Sequence, residues 1–216
     1  MIRVVKNEEV PASLLVENCS HYDGQDVQEA LIIDHHQKCY ICEQRVNKDF
    51  QIEHHQPKAL FPALKYEWTN LFLSCQYCNG RKPNRLSLLN PLSQNIEELI
   101  SRHLDLGNKF IQVETLRPGL QEEDTVFLLR KLFNGENNIR DTKGGLLYKD
   151  LEREYVFFLG LLHDYKSSKT VENRQKVIDS LLITKEFLAF KYWALKGYDD
   201  LYEDFKDYLV WNKPQI

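Results

Sequence analysis

The sequence predicts an α+β fold that is mostly helical, because one cysteine-rich segment with extended character lies between segments of helical pattern. From Cys39 to Arg85 the chain has paired cysteines, prolines and two short extended runs. Beyond Glu122 nearly every stretch carries apolar residues at helical spacing. Hydrophobic residues make up 43% and charged residues 28% of the 216 residues, so we expect a globular chain with a sizeable core.

The individual elements follow from the same patterns, and glycine or serine pairs separate the later helices. In chain order we predict helices at 11–17 and 27–36, strands at 50–54 and 71–74, a helix at 96–104, a hairpin through 110–114, and helices at 124–133, 147–165, 171–183 and 185–196. We divide the chain into a module at 1–92, which includes the N-terminal helices, and a mostly helical region at 93–216 that is a candidate for partner binding.

The N-terminus has no apolar run of signal-peptide length, and nowhere do about 18 uncharged apolar residues follow one another. We therefore expect a cytoplasmic protein without a membrane segment. Disulfides are rare in that compartment, so the five cysteines need another explanation.

Four of the five cysteines form two C-x-x-C pairs, Cys39 with Cys42 and Cys75 with Cys78. Two residues between thiolates allow both sulfurs to face one ion, and two such pairs complete the tetrahedral shell that structural zinc prefers. The alternatives are two unrelated pairs or a redox motif. A redox motif would not need a second copy, so we favour a zinc site.

A second group of polar residues lies between and beside the cysteine pairs. Glu53 and His54 are adjacent at the end of a predicted strand, so their side chains point to opposite faces. Glu53 can then bind a hard divalent cation while His54, with an ordinary pKa of about 6.5, takes a proton from water. Asn79 directly follows the last cysteine and can complete the metal site. The candidate phosphate ligands nearby are Lys58, Arg81 and Lys82.

Together these residues resemble the HNH, or ββα-metal, endonuclease motif in its zinc-supported form. The resemblance implies that His54 is the general base and that Glu53 and Asn79 hold a catalytic Mg²⁺ or Mn²⁺. It also implies that Asn70 braces the loop and orients His54. Glu53 departs from the more usual Asp or His at its position, and we expect this to shift geometry more than chemistry.

A narrower resemblance, over about residues 39–92, is to the PtuB nucleases of Septu-type anti-phage systems, which also accompany some retrons. It is carried by residues 52–58, Trp68-x-Asn70-Leu71, Ser74-Cys75 and Leu88-Leu-Asn-Pro91. It implies hydrolysis of DNA or RNA phosphodiesters in antiviral defence, together with an SMC/ABC-like ATPase partner of the PtuA type.

The charge distribution is compatible with such a partner. The net charge of −4 argues against a protein that binds nucleic acid alone and non-specifically. From Lys38 to Arg85, however, eight basic and four acidic residues give +4, so the rest carries −8. The alternative function is a zinc-stabilised adaptor without chemistry. An adaptor would not need a carboxylate, an imidazole and two amides in this order.

Other histidines and aromatic residues are better explained by structure than by catalysis. His55 could replace His54 as the base if the strand register shifted by one residue. His35 and His36 end a predicted helix, where a cation is favourable on dipole grounds alone. For the later aromatic residues we favour a buried core over base stacking; they are Tyr155, Phe157, Phe158, Phe187, Phe190, Tyr192 and Trp193.

Overall fold

The computed structural model describes residues 1–16, 19–85, 87–209 and 211. Its helices and strands are, in order, α1 (Gln25–Asp34), β1 (Phe50–His54), β2 (Leu71–Cys75), α2 (Gln76–Asn79), β3 (Ile100–Asp105), β4 (Phe110–Thr115), α3 (Leu120–Asn134), α4 (Thr142–Ser167), α5 (Val171–Ser180), α6 (Leu188–Lys196) and α7 (Asp199–Phe205). The predicted α+β class with a mostly helical second half is confirmed. Of the predicted helix at 11–17, Ala12–Leu14 form a single 3-10 turn, and Glu17 lies outside the described residues.

Strands β1 and β2 form the hairpin that carries the predicted site. They pair antiparallel, with Glu53 opposite Phe72 and His54 opposite Leu71. The first three residues of β2 are fully buried, so this strand is the core strand of the hairpin and β1 pairs beside it. Helix α2 follows β2 directly, which brings the second cysteine pair and Asn79 back beside β1.

The predicted helix at 96–104 is wrong. Only Ile96–Glu98 form a 3-10 turn, after which β3 pairs antiparallel with β4 around a turn at Gly107. The apolar residues of this segment suit a helix as well as a strand. The strand forms because β4 supplies hydrogen-bond partners for the backbone N–H and C=O groups of β3. Burial of Arg102 in the middle of β3 depends on a carboxylate far away in sequence, which periodicity cannot reveal.

The helices of the second half begin and end at residues suited to those positions. Asp141 caps α4 by accepting a hydrogen bond of 2.8 Å from Gly144 N, and Thr170 caps α5 in the same way. Gly135 ends α3 at φ +84°, and a side chain there would collide with the backbone of Ile139. The predicted breaks at Gly135, Ser167-Ser168 and Gly197 are therefore close to the observed helix ends, whereas the predicted break at Gly144-Gly145 is wrong, because both glycines lie in the first turn of α4.

The later aromatic residues form the core of the helical region, as predicted for most of them. Buried examples are Tyr155, Phe158, Phe187, Phe190 and Tyr192. Phe157 is an exception, because its side chain is 59% exposed on α4. Helix α4 packs between α3, α5 and α6, and α6 also packs on β3. In the described part of the chain, no helix is long and apolar enough to cross a membrane.

A buried carboxylate joins the cysteine-rich module to the helical region. Glu43 adopts φ +66° after the first cysteine pair and accepts hydrogen bonds from Arg102 Nη1 at 3.4 Å and from Ala189 N at 3.0 Å. The amine of Met1 lies 2.7 Å from the same carboxylate. The predicted boundary near residue 92 stays a prediction, since buried residues on both sides of it share one hydrophobic core.

We expect Glu43→Ala to destabilise the protein strongly. The change leaves Arg102 as a buried charge without its carboxylate and Ala189 N without its acceptor, and loss of one partner of a buried pair costs about 3–5 kcal/mol. Urea denaturation checks this, with Glu203→Ala on the exposed face of α7 as the control. Equal midpoints for the two variants would contradict a role for Glu43 in joining the regions.

Candidate functional site

The four paired cysteines converge on one point. Their sulfur atoms all lie within 4.8 Å of one another, and the Sγ atoms of Cys42 and Cys75 are 3.9 Å apart. A tetrahedral zinc ion with Zn–S bonds of about 2.3 Å would separate its sulfurs by about 3.8 Å. The donor set therefore fits structural zinc, with Cys39, Cys42 and Cys78 buried and Cys75 half-buried.

Local backbone structure aims these sulfurs. In the first pair, Cys39 N donates to Gln44 O across a tight turn, and Glu43 takes the left-handed conformation that the turn needs. In the second, Cys75 caps α2, and its Sγ accepts a hydrogen bond of 3.4 Å from Cys78 N. Burial raises the pKa of Cys39, but contacts with the other three thiols outweigh it and hold that pKa well below its usual range.

Glu53 lies on one face of β1 and forms an ion pair that sequence reasoning missed. Its Oε1 accepts a hydrogen bond of 2.5 Å from Lys82 Nζ, which also donates to His54 O at 2.7 Å. The Lys82 side chain is only 2% exposed. Burial raises the pKa of Glu53, and the Lys82 ammonium opposes that shift. Lys82 was predicted as a phosphate ligand, but its ammonium points into the protein, towards Glu53.

His54 lies at the end of β1 with a defined ring orientation. Its Nε2 is 2.9 Å from Lys65 O, and because a carbonyl only accepts, Nε2 must carry the hydrogen. The edge of the ring meets Tyr22, with 4.6 Å between ring centroids. Burial lowers the pKa of His54, and the nearby charges of Lys58 and Lys82 lower it further. In the neutral ring, Nδ1 is therefore the atom that can accept a proton.

Asn70 connects the two ends of the loop between β1 and β2. Its Nδ2 donates to Gln56 O and Leu64 O, both at 3.0 Å, while its Oδ1 accepts from Gln56 N at 2.7 Å. Its backbone oxygen also accepts from His55 N. An aspartate at this position could not donate to either carbonyl. Asn70 thus holds the loop whose last turn supplies the carbonyl of Lys65 to His54.

The remaining predicted ligands differ in their surroundings. Asn79 is half-buried at the end of α2, and within the described residues its side chain makes no hydrogen bond, so its oxygen is available. Arg81 forms an ion pair with Asp141 and stacks on Tyr77, 3.9 Å from the ring centroid. Lys58 is exposed and donates to the hydroxyl of Tyr22 at 2.9 Å.

Of the alternative histidines, His36 is exposed, whereas His35 and His55 are buried, as His54 is. His55 and His35 both pack edge-on against Phe72, and each has a buried Nδ1 without a partner among the described residues. Burial lowers the pKa of His55 to about 4 and that of His35 to about 3. These two residues are therefore neutral parts of the core beneath the hairpin.

Two comparisons with known proteins found matches to this chain. Residues 39–85 match the model of the HNH endonuclease family. We call this segment the HNH module after that match. The Septu protein PtuB of Bacillus thuringiensis is 30% identical over 94 residues, which cover 42% of this chain and 37% of that protein. The resemblance to HNH nucleases and to PtuB that the sequence indicated is confirmed. The helical region beyond the HNH module is not part of the family match.

Sequence reasoning missed three contacts of the HNH module. The carbonyl of Lys65, the ring of Tyr22 and the ammonium of Lys82 all touch Glu53 or His54. A backbone carbonyl leaves no trace in residue type, and Tyr22 comes from a separate segment before α1. Only the contact of Lys82 could have been inferred from the sequence. Lys82 comes three residues after Asn79, about one helical turn further along the chain, so it is expected near the same site.

We expect one zinc ion per purified chain, bound by the four cysteines. Cys78→Ser should abolish zinc binding and lower the melting temperature, because the buried sulfur shell loses one ligand. Elemental analysis by mass spectrometry measures the metal. Cys19→Ser is the matched control, because Cys19 lies outside the cluster and should leave the zinc content unchanged. Zinc retained in full by Cys78→Ser would contradict the assignment.

Proposed function

We propose that this chain is a metal-dependent endonuclease that hydrolyses nucleic-acid phosphodiester bonds as the effector of a bacterial anti-phage system. The observation that supports it best is the state of His54. Its Nε2 hydrogen is committed to the carbonyl of Lys65, which leaves Nδ1 of this largely buried ring as the proton acceptor at the end of β1. A neutral imidazole fixed in one tautomer suits a general base near neutral pH.

In this proposal the residues of the HNH module divide the work. His54 Nδ1 takes a proton from the attacking water, and the Lys65 carbonyl stabilises the imidazolium that results. Asn70 keeps that carbonyl in place by bonding the backbone of the same loop. Glu53 and Asn79 supply oxygen ligands for Mg²⁺ or Mn²⁺. The ion, when bound, would stabilise charge on the phosphate and on the leaving oxygen.

Lys58 is the strongest phosphate ligand in the proposal. Its ammonium is exposed, and its charge already acts on His54. Arg81 would have to exchange Asp141 for a phosphate, and its partly exposed position permits this. We assign Lys82 a different task, which is to hold Glu53 by Oε1 and leave the second carboxylate oxygen for the metal.

The partner in this proposal is an SMC/ABC-like ATPase of the PtuA type, as the likeness to a Septu protein suggests. Two properties of the chain support a partner. The net charge is −4, which is unfavourable for holding nucleic acid alone. In the described part of the helical region, Lys166, Lys169 and Lys176 on or beside α4 and α5 pair with acidic side chains of α5 and α7, which reduces the positive charge of that surface.

We expect His54→Ala to abolish cleavage of plasmid DNA or total RNA in Mg²⁺ or Mn²⁺, because no other described side chain offers a neutral acceptor at that point. The loss should be at least about 100-fold, as for removal of a general base. The wild type is assayed with and without the co-expressed ATPase. His163→Ala, an exposed histidine on α4, is the control and should cleave like the wild type.

Both variants must retain zinc for this comparison to count. Cleavage by the wild type alone identifies both the base and the substrate class, and dependence on the ATPase supports the Septu-like assignment. Equal cleavage by His54→Ala would remove His54 from the mechanism. Absence of cleavage in every condition would favour a zinc-stabilised adaptor.

We expect Lys82→Met to reduce cleavage by about 100-fold without loss of zinc. Glu53 would lose its ionic partner and His54 O its donor, so the end of β1 would move, and a displacement of about 1 Å can cost that factor. Cleavage rate against metal concentration measures the effect. Lys169→Met removes an exposed lysine just before α5 and should leave the cleavage rate and its metal dependence unchanged. An unaltered metal dependence in Lys82→Met would contradict the positioning role.

A further inference from the structure

Residues 57–66, between β1 and β2, form an exposed loop with an apolar tip beside His54. Its residues 58–63 are all exposed, and at the tip Leu60 is 59% and Phe61 44% exposed. Exposed leucine and phenylalanine side chains next to each other are costly to keep in water. Nothing in the described part of the chain covers them, so both side chains are free to contact another molecule.

The loop is held rigidly despite its exposure. Leu60 N and Phe61 N both donate to Pro57 O at 2.9 Å, and Pro62–Leu64 form a 3-10 turn. Prolines at 57 and 62 fix two backbone φ angles. Asn70 then bonds the loop at Gln56 and Leu64. A tip that is held in this way has little conformational entropy to lose on binding.

Both ends of this loop are linked to His54, one end through Tyr22 and the other by a hydrogen bond to His54 itself. At one end, Lys58 donates to the hydroxyl of Tyr22, whose ring packs against the ring of His54. At the other end, Lys65 accepts the hydrogen of His54 Nε2 through its carbonyl. The position of Leu60 and Phe61 relative to the proton acceptor is therefore set by a short chain of bonds.

The charges beside the tip decide what it contacts. Lys58 and Lys65 flank Leu60 and Phe61, and the charges of both lower the pKa of His54. No acidic residue occurs between Gln56 and Tyr66. Two cations on either side of an apolar pair match a polyanion with apolar faces between its charges, which is a nucleic acid with its phosphates and bases.

We propose that Leu60 and Phe61 insert against the bases of the substrate and open one base step beside the bond to be cleaved, while Lys58 and Lys65 hold the flanking phosphates. Apolar wedges of this kind unstack bases and bend the nucleic acid. The substrate is then a strand whose bases can be unstacked at the site of cleavage. This inference rests on the proposed nuclease function and adds how the substrate is bound.

The test is a binding measurement that needs no cleavage. In a His54→Ala background, the protein binds an oligonucleotide carrying 2-aminopurine, whose fluorescence rises when the base is unstacked. The double change Leu60→Ser and Phe61→Ser should weaken binding about ten-fold and remove the fluorescence rise. Both side chains are exposed, so the fold should be kept. Phe157→Ser, at an even more exposed phenylalanine on α4, is the matched control and should change neither value.

The lysines should give a different signature. Lys58→Ala with Lys65→Ala should reduce the slope of log affinity against log salt by about 1.5 to 2, and the Leu60 and Phe61 changes should leave that slope unaltered. Normal affinity and fluorescence in the Leu60 and Phe61 variant would overturn the proposal. If that variant instead loses only the ATPase partner, the tip is a protein-binding surface, which also overturns it.

The outcomes also distinguish a failure of this inference from a failure of the proposed nuclease function. If the protein with an intact His54 cleaves nucleic acid and the Leu60 and Phe61 variant cleaves at the same rate without altered 2-aminopurine fluorescence, only the inference about the tip is wrong. If the parent protein neither cleaves nor binds any nucleic acid with the ATPase present, both are wrong.

Discussion

The convergence of four cysteine sulfurs is the constraint on which the HNH module depends. The β1–β2 hairpin has only five residue pairs, and an isolated two-stranded hairpin is marginally stable in water. The sulfur cluster ties the turn before β1 to the start of α2. Since Asn79 ends α2 and Lys82 follows three residues later, the same cluster sets the position of both relative to β1. A metal there would stabilise fold and site together.

The sequence predicted the cysteine cluster and the likeness to HNH nucleases, because these signals are local. Cysteine spacing, the adjacent Glu53 and His54, and Asn79 directly after Cys78 need no knowledge of the rest of the fold. Prediction failed where a partner lies far away in sequence. The β3 strand was taken for a helix because its pairing with β4 and the burial of Arg102 against Glu43 are invisible to periodicity. The burial of Lys82 beside Glu53 could likewise not be read from its residue type.

Packing beneath the hairpin separates three histidines that look alike in sequence. His35 and His55 lie against Phe72 and lose most of their ability to carry charge, as their low pKa values indicate. His54, on the opposite face of β1 from Glu53, is also buried, but its ring is held by the Lys65 carbonyl and by Tyr22. Because neighbouring side chains along an extended chain point to opposite sides, His54 and His55 meet different partners although both are buried.

The helical region is coupled to this hairpin through the first cysteine pair. Glu43 follows Cys42 directly, and its carboxylate binds Arg102 of β3 and the backbone of Ala189 in α6. Burial raises the pKa of Glu43, but the surrounding cations outweigh it and keep the carboxylate charged. A buried ion pair is a weak source of stability but is sensitive to geometry. A movement of α6 against β3 would therefore act on the turn that holds two of the four sulfurs. A molecule that bound and moved these helices would therefore affect the HNH module through the contacts of Glu43.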